Sequence, residues 1–216
     1  MVLAYIYIST ILVAFISSLR AFRLDFPFHL RLFSLLLGVT FGVELTAELT
    51  ARIWHTGNNY WLYNGFAPLE FWLYGYYYFR LIRVRLARMV ILCYLILFPV
   101  FWAVTVFGIF RFSIWNSYVI IVGSFFAIIF VMMYYYQLLV DPGTRSLRGV
   151  SEFWIATGML VFYSGALPYY GELNFLWTQH KDAARTLFKV LLIMDTLMYA
   201  LFSYAFLCRR INIKKS

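Results

Sequence analysis

Charge is what this sequence has least of. Lys, Arg, Asp and Glu make up 12% of its 216 residues, 64% are hydrophobic, and the mean hydropathy is +0.80. A soluble domain carries about 25% charged residues, and a water-soluble fold has nowhere to bury so much apolar surface. Only two cysteines occur, Cys93 within an apolar run and Cys208 at the end of the last one, which argues against a disulfide framework. The three histidines, His29, His55 and His180, fall in the connections between apolar runs, with no second His or Cys at ligand spacing, so no metal site is expected. GxSxG, HExxH and phosphate-binding glycine loops are missing, and no cofactor is expected.

What remains is a series of long apolar runs. A spanning helix needs about 20 apolar residues to cross a hydrocarbon core about 30 Å thick. Seven runs meet that length, at roughly 2–19, 32–51, 62–79, 89–108, 116–138, 152–170 and 186–207. The reading is an all-α integral membrane protein, a seven-transmembrane-helix bundle forming one domain over residues 1–216. The first run has no basic segment before it and no small-residue cleavage site after it, so it reads as a retained span. Asp141-Pro142-Gly143 is read as stopping the fifth helix, and Ser151 with Glu152 as capping the sixth.

The net charge of +9 sits in short basic clusters between the runs, the pattern of cytoplasmic loops and not of nucleic-acid binding. The first, third and fifth connections and the tail hold Arg20, Arg23, Arg31, Arg80, Arg83, Arg85, Arg88, Arg145, Arg148, Arg209, Arg210, Lys214 and Lys215. The opposite side holds Arg52, Arg111, Lys181 and Arg185. Thirteen against four puts the N-terminus outside and the C-terminus in the cytoplasm. Tyr76, Tyr77 and Tyr78 then fall at the cytoplasmic interface and Tyr60, Trp61 and Tyr63 at the outer one, as aromatic belts or packing residues.

Ionisable groups within spans are functional candidates by default. Glu44 and Glu48 share a face of the second run, and Glu70 lies about 12 Å along the axis of the third. Lys189 is near the outer end of the seventh and Asp195 is close to its middle. All five converge on the outer half, where Tyr63, Asn64, Tyr163, Ser164, Tyr169 and Tyr170 can donate hydrogen bonds. Glu48 is expected to pair with Arg52, and Lys189 to bridge to Glu44 or Glu70. One lysine cannot neutralise Glu44, Glu70 and Asp195 together. They need protons, or water and a cationic or zwitterionic ligand, and either outcome makes an outward-opening polar pocket. Pro68 and Pro168 free backbone carbonyls beside it.

On the cytoplasmic side Arg80, Arg83, Arg85 and Arg88 follow the positive-inside pattern, or dock an acidic partner or lipid headgroup. Glu152 is read as a cap paired with Arg148. Glu70-Phe71-Trp72 recurs as Glu152-Phe153-Trp154, with Gly75 and Gly158 a few residues on; chance or an inverted repeat of runs one to three and four to six both account for that.

The segments YNGFAPLEFWLYGYYYF and VSEFWIATGMLVFYSGALPYY resemble a group of uncharacterised small bacterial seven-transmembrane-helix proteins often encoded near sensor histidine kinases. The resemblance implies Glu70 and the Phe153-Trp154 pair as family features, a multi-pass location in the bacterial inner (cytoplasmic) membrane, and no reaction. The expected function is a receptor-like or accessory sensor subunit that binds a small ligand in the outer half and signals to a membrane or cytoplasmic partner. A small-molecule or proton-coupled transporter using Glu44, Glu70 and Asp195 is the alternative, a structural subunit of a membrane complex the next. An intramembrane lipid enzyme ranks last, for want of a nucleophile or metal.

Overall fold

A computed structural model describes residues 2–24, 26–53, 59–110, 114–141 and 147–208. Pro142, Gly143, His55, Arg111, Arg145 and the basic tail from Arg209 lie outside the described residues.

Backbone polar groups that meet no water must bond within their own segment, and the chain answers with helices throughout. They are α1 (Val2–Ser18), α2 (Arg20–Arg23), α3 (Phe28–Ile53), α4 (Tyr60–Leu81), α5 (Arg85–Ala103), α6 (Ser117–Val140), α7 (Ser151–Gly171), α8 (Leu173–Gln179) and α9 (Lys181–Cys208). A π-helical turn, Val104–Phe110, prolongs α5. Each of the seven apolar runs is a helix, but α3, α5 and α9 begin about one turn earlier than the runs do. Hydropathy marks where charge stops, whereas helical hydrogen bonding continues past that point. Among the described residues five stretches are long and apolar enough to cross a membrane: Leu3–Arg23, Phe28–Ile53, Arg85–Ile109, Ser117–Val140 and Lys181–Cys208. α4 and α7, rich in tyrosine and glycine, fall short of that measure. The architecture is all-helical and compatible with a multi-pass membrane protein. Large apolar side chains such as Leu97, Phe107 and Leu139 are exposed on its outside.

Six helices form a closed ring. α1 packs on α3, α3 on α4, α4 on α6, α6 on α7, α7 on α9, and α9 back on α1. α5 stands outside, against α4 and α6. This arrangement does not pair α1, α3 and α4 with α5, α6 and α7 as an inverted repeat would, because α1 closes the ring and α5 is excluded from it.

Prolines fix the seam between α4 and α5. Pro68 has no N–H, so the Asn64 carbonyl four residues back has no helical donor; Trp102 Nε1 of α5 donates to it at 2.9 Å. Pro99 of α5 frees the Leu95 carbonyl in the same way, and Trp72 Nε1 of α4 donates to that one at 3.1 Å. Each helix supplies the indole that the other's proline requires. Polar pairs join other helices: Ser18 and Ser34 hydroxyls at 2.7 Å between α1 and α3, Tyr135 and Thr157 at 2.8 Å between α6 and α7.

One end of the ring, formed by the start of α3 and α7 and the close of α9, is packed solid. Phe33 sits edge-on to Phe202 at 5.1 Å between centroids and against Tyr77 at 5.3 Å. Tyr77 and Tyr78 are buried in this core and do not anchor an interface; Tyr76 stacks on Trp72 instead. His29 is the second residue of α3, not part of a connection, and its Nε2 lies 3.1 Å from Glu152 Oε1. Glu152 therefore reaches across the bundle and is no cap. Val150 is the N-cap of α7 and makes no side-chain bond there, while the Ser151 hydroxyl is buried as the first helical residue. Arg80, Arg83, Arg85 and Arg88 are exposed beyond this end, Arg80 over the Phe28 ring and Arg88 over the Phe79 ring.

Candidate functional site: an acidic, aromatic cavity

The other end of the ring encloses a cavity of about 350 Å³ to which all six ring helices contribute. α4 turns Tyr63, Phe66, Ala67, Glu70 and Phe71 toward it, and α9 turns Phe188, Leu191, Leu192, Asp195, Met198 and Tyr199. Both sets step by three and four, the stripe of one helical face. α1 adds Tyr7, α3 adds Thr40 and Glu44, α6 adds Ile120, and α7 adds Phe162, Tyr163 and Tyr170. Trp115, from the turn before α6, completes the wall.

Glu44, Glu70 and Asp195 thus share one space, and Tyr163 lies beside them. The Tyr63 hydroxyl donates to Glu44 at 3.1 Å, and the Tyr74 hydroxyl donates to Glu70 at 2.9 Å. The half-buried Asp195 carboxyl lines the same space, with its Oδ1 packed out of it and without a hydrogen-bond partner. The Asp195 carboxyl is near enough to feel the charge of Glu44 and Glu70, and the Tyr7 hydroxyl lies within hydrogen-bonding reach of both Glu44 and Asp195. No Lys, Arg or His lines the cavity among the described residues.

The remaining expected site residues lie elsewhere. Lys189 is exposed and bridges to neither Glu44 nor Glu70. It is one residue past Phe188, so it is turned about 100° off the stripe that faces the cavity. Glu48 pairs with Arg52 on the bundle's flank, and Arg52 also reaches the Tyr5 hydroxyl and lies over its ring. Ser164 is exposed, and Tyr169 packs with Ala166 and Leu191 in a separate small cluster.

Asn64 positions the cavity's roof. Its Nδ2 donates to the Ile114 carbonyl at 2.7 Å, and its Oδ1 accepts from the Asn116 N–H at 3.1 Å. Asn116 in turn caps α6 and donates to Thr105 at 2.9 Å. Trp115, held between those two anchored residues, lies 5.8 Å from Tyr63 and 6.2 Å from Tyr170, ring centre to ring centre. On the far wall Phe71 rests on Gly123 of α6, where any Cβ would overlap its ring.

Sequence reasoning missed Tyr7, Trp115, Tyr74 and Tyr199. Two of these carried a signal: Tyr74 follows Glu70, and Tyr199 follows Asp195, by one helical turn, which sets each pair on one face. Tyr7 and Trp115 arrive from other elements and have no such mark.

Among the described residues no group of three or more His, Cys, Asp and Glu side chains is arranged to hold a metal ion, so the three carboxyls line a shared space without converging on a point. No family model, curated protein or solved structure matches the chain. The cavity must be read from its own chemistry.

Proposed function

We propose that this is a multi-pass membrane protein of seven transmembrane helices, α1, α3, α4, α5, α6, α7 and α9, with its N-terminus outside and its C-terminus in the cytoplasm. In this reading it is a receptor-like or accessory sensor subunit that binds a small ligand in the outer half of the bundle. The observation that carries the reading is the cavity: a volume in the range of small-molecule sites, about 300–1,000 Å³, with mostly apolar walls and three carboxyls that no basic side chain in the lining offsets. A bundle selected for packing alone would fill that space or pair those groups.

Two further features support it. α4 and α7 complete the same ring as helices long and apolar enough to span, which favours seven spans over five. The basic residues concentrate at the packed end, which favours placing that end in the cytoplasm. There Arg80, Arg83, Arg85 and Arg88 offer an exposed surface to a signalling partner or to anionic headgroups, and the connections are too short to hold an effector domain.

A second reading, a small-molecule or proton-coupled transporter, draws support from the ring itself. It consists of two runs of three consecutive long helices, α1, α3, α4 and α6, α7, α9, with α5 set aside as the link. Repeats of this kind place a substrate between two moving halves. Purified protein in proteoliposomes separates the two. The receptor reading expects ligand-dependent thermal stabilisation with no flux of the stabilising compound. Flux that Glu70→Gln abolishes would overturn it in favour of transport.

A further inference from the structure

We propose that the cavity takes a protonated primary or secondary amine, which donates its N–H groups to the Asp195 carboxyl and its neighbours Glu44 and Glu70 within a wall of aromatic rings. The assignment deepens the reading of this cavity as a ligand site and rests on it.

Charge sets the sign of the ligand. Three carboxyls line the space and, among the described residues, no basic side chain does; Lys189 faces away, and Arg52 is taken by Glu48. An anion entering would meet only like charge. Hydrogen bonding sets the kind of cation. Glu44 and Glu70 each accept one tyrosine hydroxyl, which leaves further lone pairs on both, and the half-buried Asp195 carboxyl faces the same space. Carboxylate oxygens turned to a space that excludes water are best served by charged N–H donors. A quaternary ammonium cannot supply one. A bare divalent cation would need oxygen ligands gathered around it at about 2.0–2.6 Å, and the carboxyls are not gathered so.

The walls set the rest. Tyr63, Trp115 and Tyr170 cluster at the roof, and ring faces attract cations most strongly where water is excluded. The Trp115 indole N–H is itself buried without a partner. Phe66, Phe162 and Phe188 offer apolar surface for a hydrocarbon or aromatic substituent on the amine.

The test uses the full chain in detergent micelles, with calorimetric titration and thermal melting, and four probes: 2-phenylethylammonium, tetramethylammonium, 2-phenylethanol and 3-phenylpropanoate. The expected result is that 2-phenylethylammonium binds about tenfold tighter than each of the others, as a charge-assisted hydrogen bond implies. Asp195→Asn should then lose about tenfold in affinity for it and nothing for 2-phenylethanol. Glu44→Gln should weaken the ammonium in the same direction, which keeps the claim testable if Asp195→Asn does not fold, and Glu48→Gln should leave binding unchanged. Equal or tighter binding of 2-phenylethanol or 3-phenylpropanoate would overturn the amine assignment and leave the ligand site standing. Tetramethylammonium binding as tightly would overturn the role given to Asp195. If none of the four binds but an amino acid, sugar or carboxylate from a wider panel raises the melting temperature, the amine assignment alone falls; if nothing in that panel does, the ligand site falls with it.

Discussion

The two ends of this bundle are built from the same helices and obey opposite rules. At the packed end, the one glutamate that points inward, Glu152, is met by His29, and the space between helices is filled by Phe33, Tyr77, Phe202 and Phe206. At the cavity end three carboxyls meet no base among the described residues, and aromatic rings stand around a void instead of filling it. α4 shows the change within one helix, from Glu70 facing the cavity to Tyr77 and Tyr78 wholly enclosed two turns later. The lesson is that the acids at the cavity end are not demanded by the fold: the same bundle meets its inward glutamate with a histidine at the packed end and fills the space around the pair with rings.

Mutations can sharpen that contrast or break it. The largest effect is expected from Phe33→Ala, which empties the packed end and should cost about 3–5 kcal/mol of stability, measured by reversible unfolding in mixed micelles. A loss below about 1 kcal/mol would mean that this end is no more solid than the other. Next is Trp102→Phe, which leaves the carbonyl freed by Pro68 without its donor and should cost about 1–3 kcal/mol. A variant as stable as the parent would show that water or another group satisfies that carbonyl. The sharpest contrast comes from a pair of charge-removing changes. Glu152→Gln should destabilise, by about 1 kcal/mol, because its carboxyl has a basic partner, whereas Asp195→Asn should leave stability unchanged or raise it, because no basic side chain in the cavity lining meets its carboxyl. The same sign at both positions would remove the distinction between the ends. The smallest effect is expected from Lys189→Ala, within about 0.5 kcal/mol of the parent, because the side chain is exposed and pairs with none of the cavity acids.

Hydropathy located all seven long helices and missed mainly their ends, since an apolar window says nothing about where backbone hydrogen bonding stops. The acids of the cavity were legible for a different reason. A carboxyl in an apolar run has no neutral explanation, so Glu44, Glu70 and Asp195 stand out singly, and alternation of the basic residues then sets them at one end together. Lys189 stood out by the same rule and proved to face outward, because depth in the membrane can be read from the count of residues but azimuth needs the neighbouring helices. Glu152 and His29 illustrate the converse. Nothing local links residues so far apart in the chain, so the sequence reading puts His29 in a connection and makes Glu152 a cap paired with Arg148. The reciprocal use of Trp72 and Trp102 by Pro99 and Pro68 was half visible: each proline announced a free carbonyl, but which indole answers it depends on the packing of α5 against α4.

The measurement that bears most directly on the account is accessibility of the cavity from the outer face of the membrane. With Cys93 and Cys208 both free thiols, each is first replaced by serine, and single cysteines are introduced as Phe66→Cys in the cavity wall and Phe33→Cys in the packed end. Added outside intact cells, the impermeant cationic reagent methanethiosulfonate ethyltrimethylammonium should label the cysteine at position 66 and spare the one at position 33. Equal labelling at the two positions, or none at position 66, would contradict an outward-opening cavity.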